Sequence, residues 1–255
     1  MAERILSLIV VIFTTLLAYR LYSGGLSRKY PAFFSYLLFS AVQNAALLIP
    51  NKTGNAYFWT WVATEPIAWF FYVLMFLELY SMITSAHEGI RSVGRTALYV
   101  AVGAALAVSV VVSIPFNAPV THSRVLSFFY LAERTINISL VTFLAVVLFM
   151  MMRYPIALSR NVIIHSIVYS FYFLSNTVVF LALSLLGFGE HTAGYAVSLL
   201  SVAAIMVWLT KFDRAGEARE QRLAMPWMAG HEEELIGQLN EINRVLMKVS
   251  KNNPG

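Results

Sequence analysis

Apolar residues along this chain come in long runs, which short polar segments separate. Seven runs come close to the length of about 20 residues that a helix needs to cross the hydrocarbon core of a bilayer. They cover residues 5–22, 32–49, 58–82, 97–114, 125–152, 162–186 and 195–210. The segments between them are rich in Gly, Pro, Asn and charge, as turns are. The pattern predicts an all-α integral membrane protein with seven transmembrane helices.

Composition supports a lipid bilayer as the main surroundings of the chain. Of its 255 residues, 59% are hydrophobic and only 12% are charged, whereas a soluble domain carries about 25% charged residues. A globule of this size cannot bury so much apolar surface. The chain has no cysteine, which excludes disulfides, thiolate metal sites and a cysteine nucleophile.

The basic residues predict the orientation in the membrane. Nine lysines and arginines lie in the connections that would share one side with the C-terminus, and only Arg4, Lys52 and Arg124 lie on the other side. Because positive charge collects on the cytoplasmic side, we expect the N-terminus outside and the C-terminus inside. The net charge of +5 is then explained by basic residues at the cytoplasmic face of the membrane. We therefore expect no nucleic-acid partner. Short loops favour the bacterial cytoplasmic membrane.

The last part of the chain differs from the rest, so we divide the sequence into a transmembrane domain, 1–211, and a cytoplasmic tail, 212–255. The charged segment 211–225 is predicted to continue the seventh helix into the cytoplasm. A further helix at about 231–250 carries an apolar seam at spacings of three and four. The residues of this seam, which predict self-association or a protein partner, are Leu235, Leu239, Ile242, Leu246 and Val249.

An internal repeat is predicted at an offset of 132 residues. The tripeptide Leu-Ser-Arg at 26–28 returns at 158–160, and Asn44 corresponds to Asn176. This pattern suggests parallel repeats of three helices joined by the fourth, a 3+1+3 arrangement known among transporters. The arrangement resembles that of SWEET-type sugar transporters, although their paired proline motifs have no counterpart here, since Pro31 corresponds to Ile163.

Polar side chains inside the predicted membrane helices are the candidate site, because an ionisable group at that depth needs a partner or a function. Helices two, three, five and six each carry such groups at one level of their outer halves, which predicts an outward-facing cavity with polar and aromatic walls. The candidate ligand-binding residues are Asn44, Glu65, Trp69, Tyr72, Tyr130, Glu133, Arg134, Asn137, Tyr172 and Asn176.

Two interpretations of this polar level stay open. In one, Arg134 pairs with Glu65 or Glu133 and fixes helix packing. In the other, the two acids and one arginine leave a negative charge, which favours a cation, a proton or an amine ligand. Two further groups lie deeper. Glu78 is predicted to snorkel or to pair with a base of an inner loop, with Arg91 and Arg153 as candidates. His165 is predicted to be a hydrogen-bonded structural residue rather than a proton relay.

Motifs for catalysis are missing from the sequence, so we predict no enzyme, no cofactor and no metal site. Seven helices with the N-terminus outside resemble the architecture of rhodopsins and receptors. Retinal attachment would need a lysine in the middle of the seventh helix, but Lys211 lies at its cytoplasmic end.

Three functions are compatible with the sequence. The first is a sensor or receptor-like protein, in which the outer cavity binds a small molecule and the seventh helix passes the change to the tail. The second is a small transporter or channel, which the repeat and the intramembrane glutamates favour. The third is an accessory subunit of a larger membrane complex, with the tail as the docking helix.

Overall fold

The computed structural model describes residues 2–50, 54–85, 88–113, 122–153, 157–186, 190–222 and 232–252. Within these ranges the regular structure is helical apart from two short strands. The helices are α1 Ala2–Ser23, α2 Pro31–Leu48, α3 Asn55–Ile83, α4 Glu88–Ser113, α5 His122–Arg153, α6 Arg160–Leu186, α7 Glu190–Lys211, α8 Arg214–Ala218 and α9 Glu232–Asn252. The strands are β1 Ala157–Ser159 and β2 Glu220–Arg222. The described parts of the seven apolar runs are helical, in α1 to α7, so the predicted all-α class is confirmed.

Five of the described helices are long and apolar enough to cross a membrane: Arg4–Ser23, Pro31–Leu48, Asn55–Ile83, Arg160–Val179 and Gly194–Lys211. They belong to α1, α2, α3, α6 and α7. The fourth and fifth predicted spans are helical too, but they are not among these five. The seven-span count stays a prediction for these two helices.

The bundle is a ring in which α1 contacts α2 and α7, α2 contacts α3, and α6 contacts α7. The ring is closed by α3, which contacts both α5 and α6, while α4 lies outside it against α5 and α9. Large apolar side chains fill the half of the ring that lies towards the α1–α2 connection. The most deeply buried include Leu17, Phe33, Leu37, Phe76 and Phe173. Such packing places the polar residues of the ring helices around a common interior.

The turn from α1 to α2 uses residues suited to its geometry. Gly25 has a φ of 72°, in the left-handed region that glycine adopts without a steric penalty. A short 3-10 turn, Leu26–Arg28, follows it, and Pro31 occupies the first turn of α2, where its missing N–H costs nothing. Since β1 corresponds to this 3-10 turn at the predicted repeat offset, the two matched segments differ in conformation.

The first turn of α2 is capped by Glu78 of α3. Its carboxylate accepts hydrogen bonds from the backbone N–H of Ala32 at 2.7 Å and of Phe33 at 3.2 Å. A carboxylate is favourable at this end of a helix because the N–H groups there are unpaired and the helix dipole is positive. The predicted pairing of Glu78 with Arg91 is therefore wrong, and Arg91 lies 3.6 Å from Glu88. The Arg153 side chain lies outside the described residues.

The tail does not continue α7, so that prediction is wrong. The helix ends at Lys211, and Asp213 caps α8 by accepting a hydrogen bond from the N–H of Gly216. Asn161 of α6 donates to the carbonyl of Asp213 at 2.7 Å and holds the break in place. Beyond α8, β2 pairs antiparallel with β1, with Leu158 opposite Gln221. The segment 214–222 thus returns to the base of α6.

Candidate functional site

A cavity of about 520 Å³ lies inside the ring, between α1, α2, α3, α6 and α7, with Glu133 of α5 in its wall. It reaches the end of the bundle at which α1 begins, because its walls include Leu6, Leu47, Tyr57 and Gly194. In the predicted orientation this end is the outer one. The polar and amphipathic side chains of its walls are Ser7, Thr14, Tyr36, Ser40, Gln43, Asn44, Tyr57, Trp61, Glu65, Tyr72, Glu133, Tyr169, Tyr172, Tyr195, Ser198, Ser201 and Trp208.

Two carboxylates, Glu65 and Glu133, face the cavity about halfway down. Glu65 is buried, with 7% of its surface exposed, and both carboxylates line the same cavity. Among the described side chains, no lysine or arginine pairs with either of them. The Arg134 side chain lies outside the described residues, so its predicted pairing with these acids stays a prediction.

Hydrogen bonds within and between helices hold polar side chains at the cavity wall. The amide Nε2 of Gln43 on α2 donates to the hydroxyl of Thr64 on α3 at 3.0 Å. Asn44 is held within its own helix, because its Nδ2 donates to the carbonyl of Ser40 at 2.8 Å. The hydroxyls of Tyr172 on α6 and Ser201 on α7 lie 3.4 Å apart. Hydroxyl and amide groups from α2, α6 and α7 therefore line the cavity.

The ten candidate ligand-binding residues divide into three groups. Five of them line the cavity: Asn44, Glu65, Tyr72, Glu133 and Tyr172. Three others are buried but are not among the lining residues: Trp69, Asn137 and Asn176.

Trp69 packs instead on Phe129, with ring centroids 5.3 Å apart. The third group is Tyr130 and Arg134. They belong to α5, but their side chains lie outside the described residues.

The contributions of α1 and α7 to the cavity were not predicted. From α1 come Ser7 and Thr14, and from α7 come Ser198, Ser201 and Trp208. The spacing of three and seven residues between Ser198, Ser201 and Trp208 puts them on one helical face, which is a signal the sequence does contain. Small hydroxyl side chains are weak markers, because a serine or threonine in a membrane helix usually bonds a carbonyl of its own helix. Ser198 and Ser201 do so, to Gly194 and Val197.

The cavity ends on an aromatic floor. Tyr169 and Trp208 line its lowest part, and the Tyr169 hydroxyl contacts the sulfur of Met75. One turn from Tyr169 on α6 lies His165, which is 1% exposed; its ring centroid is 4.5 Å from that of Phe33 and 4.7 Å from that of Tyr169. Its packing agrees with the predicted structural role, while both ring nitrogens lack a hydrogen-bond partner among the described residues.

Beneath the floor, a polar layer closes the opposite end of the ring. The carboxylate of Glu217 on α8 accepts a hydrogen bond from the Tyr30 hydroxyl at 2.7 Å and from Nδ2 of Asn161 at 3.1 Å, and it pairs with Lys29. Burial raises the pKa of Glu217, but the hydrogen bonds from Lys29 and Tyr30 outweigh that effect and leave the pKa below its usual value. Burial and the nearby Glu217 carboxylate raise the pKa of Tyr30. We call Lys29, Tyr30, Asn161 and Glu217 the closing layer.

The predicted seam of the tail is used partly within the chain. Leu235 and Leu239 are 4% and 3% exposed, and α9 packs against α4. The N–H of Gly89 donates to Oδ1 of Asn243 at 2.8 Å. By contrast, Ile242 is 42% exposed.

Leu246 of the same seam lies against Gly89, while the Val249 side chain is outside the described residues. The seam residues that face α4 are therefore covered by the chain itself in this conformation.

The fold and the cavity define a helical protein whose apolar helices are compatible with a membrane protein. No family model matches the chain, and neither a curated protein nor a solved structure matches it.

Proposed function

We propose that this chain is a seven-transmembrane, receptor-like sensor, with its N-terminus outside and its C-terminus in the cytoplasm. A small molecule binds in the cavity of the ring, and α7 passes the change to the closing layer and the tail. The observation that carries this proposal is the cavity itself. It joins two carboxylates with aromatic and hydroxyl side chains, it reaches one end of the bundle, and it stops at a buried floor.

Such a cavity is the usual form of a small-molecule site, concave and mostly apolar with a few convergent polar groups. Buried carboxylates inside a membrane helix bundle are costly unless they have a function or a partner. Glu65 and Glu133 have no basic partner among the described side chains. A ligand that supplies this partner accounts for both acids.

The path from the cavity to the tail runs through α7. Ser201 and Trp208 line the cavity, and Phe212, just after the helix end, packs against Tyr30 with ring centroids 4.9 Å apart. Arg20 of α1 donates to the carbonyl of Leu209 near the same end. A ligand that shifts α7 therefore also shifts the contacts of the closing layer, because the two share this helix end.

The closing layer supports a sensor over a transporter. A transporter has to open the cavity at the inner end during its cycle. Here the inner end holds Phe33 and Tyr30, both fully buried, and below them the hydrogen bonds of Glu217. Transport is nevertheless the main alternative function. A measurement of flux distinguishes a transporter from a sensor.

The test is native mass spectrometry of the full-length chain, extracted together with its native lipids. We expect a bound small molecule of constant mass in the wild type and its loss in Ser201→Trp, which fills the cavity. The matched control is Leu199→Trp on the same helix, because Leu199 is 58% exposed and points away from the cavity. If neither the wild type nor the control carries a bound molecule, the sensor proposal is wrong.

A second measurement separates sensing from transport. The small molecule found by native mass spectrometry is added to the ligand-free chain in nanodiscs. Hydrogen exchange of the α8 amides is then compared with and without this molecule. We expect a change in exchange at α8 and no accumulation of the molecule in proteoliposomes. Accumulation that Ser201→Trp abolishes would replace the sensor with the transporter.

A further inference from the structure

We infer that the ligand of this cavity is an arylalkylamine-type organic cation, with a protonated amine at one end, an aromatic body and a hydrogen-bonding oxygen at the other end. This inference rests on the proposed binding role of the cavity and adds the chemical class of the ligand. Three features of the walls carry it, at three successive depths.

The first feature is the charge of the middle level. Two ionised carboxylates in the wall of one cavity repel each other, and a cation between them relieves the repulsion. Even when Arg134 is counted from the sequence, the two acids leave one negative charge. An ammonium group satisfies this charge and can donate hydrogen bonds to both carboxylates.

The second feature is the aromatic wall below the acids. The ring of Tyr72 lies 5.5 Å from that of Tyr36 and 5.1 Å from that of Phe173, measured between centroids. Offset and edge-to-face rings of this kind accept a further flat ring at the same spacing. They also attract an ammonium group through their π faces.

The third feature is an unsatisfied donor at the floor. Trp208 lines the cavity, and its indole N–H is buried without a partner among the described residues. A buried donor without an acceptor costs free energy, which a ligand oxygen would recover. Glu65 and Tyr72 are seven residues apart on α3, which is about 10 Å along the helix. Within this span a phenylethylamine places its ammonium group at Glu65 and its ring beside Tyr72, with a para oxygen directed on towards the floor.

The experiment uses three probes that differ by one feature each, measured by calorimetry on the full-length chain in nanodiscs at neutral pH. Tyramine carries the ammonium, the ring and the far oxygen. Its N-acetyl derivative lacks the charge, and phenethylamine lacks the oxygen. We expect tyramine to bind at least about tenfold more tightly than N-acetyltyramine, because the N-acetyl derivative loses hydrogen bonds to charged groups. We expect it to bind several-fold more tightly than phenethylamine, because phenethylamine loses only a weaker hydrogen bond between neutral groups.

Variants then assign each preference to a residue. Glu65→Gln should remove the preference for tyramine over N-acetyltyramine, and Glu133→Gln is the second variant in case the first fails to fold. Trp208→Phe should remove the preference for tyramine over phenethylamine. The controls are Glu88→Gln and Trp59→Phe, which change exposed residues of the same types and should keep both ratios.

Equal affinity for tyramine and its N-acetyl derivative in the wild type would overturn the inference and leave a neutral ligand for the cavity. Binding of none of the three probes would overturn it as well. Neither result touches the proposed function, which depends on the molecule retained in native mass spectrometry.

Discussion

The hydroxyl of Tyr30 donates a 2.7 Å hydrogen bond to Oε2 of Glu217, across 187 residues of sequence. The same carboxylate pairs with Lys29 and accepts a bond from Asn161. It therefore joins the α1–α2 connection, the start of α6 and the short helix α8. One side chain thus holds together the segments that close the cavity below its floor.

The first prediction concerns the charge of this carboxylate. Glu217→Gln keeps one oxygen acceptor but loses the ion pair with Lys29 and the charge-assisted bond from Tyr30. Because Lys29 is half exposed, we expect a modest loss of about 1–2 kcal/mol in the free energy of unfolding. At about 2–4 °C per kcal/mol for a chain of this size, the loss appears as a lower melting temperature in detergent. Glu241→Gln is the control, because Glu241 forms only an exposed pair with Arg244, and its melting temperature should stay within a degree or so.

The second prediction is the pH dependence of the same contact. The pKa of Glu217 lies below its usual value of 4.5, so the ionised form is favoured in the folded state. Its contribution is fully present above pH 4.5 and is lost as the pH falls through the lower, folded-state pKa. The difference in melting temperature between wild type and Glu217→Gln should therefore be constant near neutral pH and shrink on acidification. A difference that grows in acid would contradict this assignment.

The third prediction concerns the cap of α2. Glu78→Gln removes the negative charge that faces the N–H groups of Ala32 and Phe33, and Glu78→Ala removes the acceptor as well. Losing a cap costs about 1 kcal/mol, and losing a favourable charge at a helix end costs somewhat less. We therefore expect the melting temperature to fall in the order wild type, glutamine, alanine. An alanine variant as stable as the wild type would show that the cap contributes nothing.

The positions of the helices could be predicted from the sequence because a spanning helix is a local pattern. A run of apolar residues needs no knowledge of its neighbours, and α3 follows its predicted run closely, at Asn55–Ile83. The break after α7 was not predictable in the same way. Its cause is partly a contact from another helix, the bond from Asn161 to the Asp213 carbonyl. The charged sequence after Lys211 is equally compatible with a helix that continues.

The site was predicted in part for the same reason. The sequence shows which residues share a face of one helix, so the polar faces of α2 and α3 led to Asn44, Glu65 and Tyr72. It does not show how each helix is rotated against its neighbours. Trp69 is one turn from Glu65, yet it packs on Phe129. The α7 face was missed because its serines are small and are satisfied within the helix.

The fourth prediction concerns the contact between α3 and α4. A Cβ atom on Gly94 would lie 2.1 Å from the hydroxyl oxygen of Tyr80 and 2.4 Å from Cζ of the same ring. Tyr80 is buried, and its hydroxyl bonds the carbonyl of Ile90, so the ring has little room to move. Gly94→Ala should therefore destabilise the protein by about 1–3 kcal/mol. Gly103→Ala on the same helix meets nothing within 4 Å and should be neutral or slightly stabilising.

A double variant isolates the cause of that effect. Tyr80→Phe removes the atom nearest to the new methyl group, so Gly94→Ala should cost less in its presence than alone. The coupling is obtained from the four melting temperatures of the cycle. Equal costs in both backgrounds would mean that the alanine acts on something other than Tyr80.

The fifth prediction concerns the docking of α9 on α4, on which the availability of the tail depends. A Cβ atom on Gly89 would lie 2.6 Å from the carbonyl oxygen of Asn243 and 3.1 Å from Cβ of Leu246. Since one of these atoms is backbone, the contact cannot be relieved by a side-chain rotation, and Gly89→Ala should push α9 away from α4. Hydrogen exchange of the α9 amides should then increase. The control, Gly237→Ala, adds a methyl group in open space on α9 itself and should slow exchange by raising helix propensity.

Release of α9 also tests the predicted role of its apolar seam. Leu235 and Leu239 are buried against the chain when α9 is docked, so they can meet a second copy or a partner only after it leaves. If the seam mediates self-association, Gly89→Ala should raise the average mass of the particles in light scattering, and an additional Leu239→Ser should reverse the increase. If exchange of α9 rises while the mass stays that of the wild type, then docking on α4 is the main role of Leu235 and Leu239, and an oligomer has to use another surface.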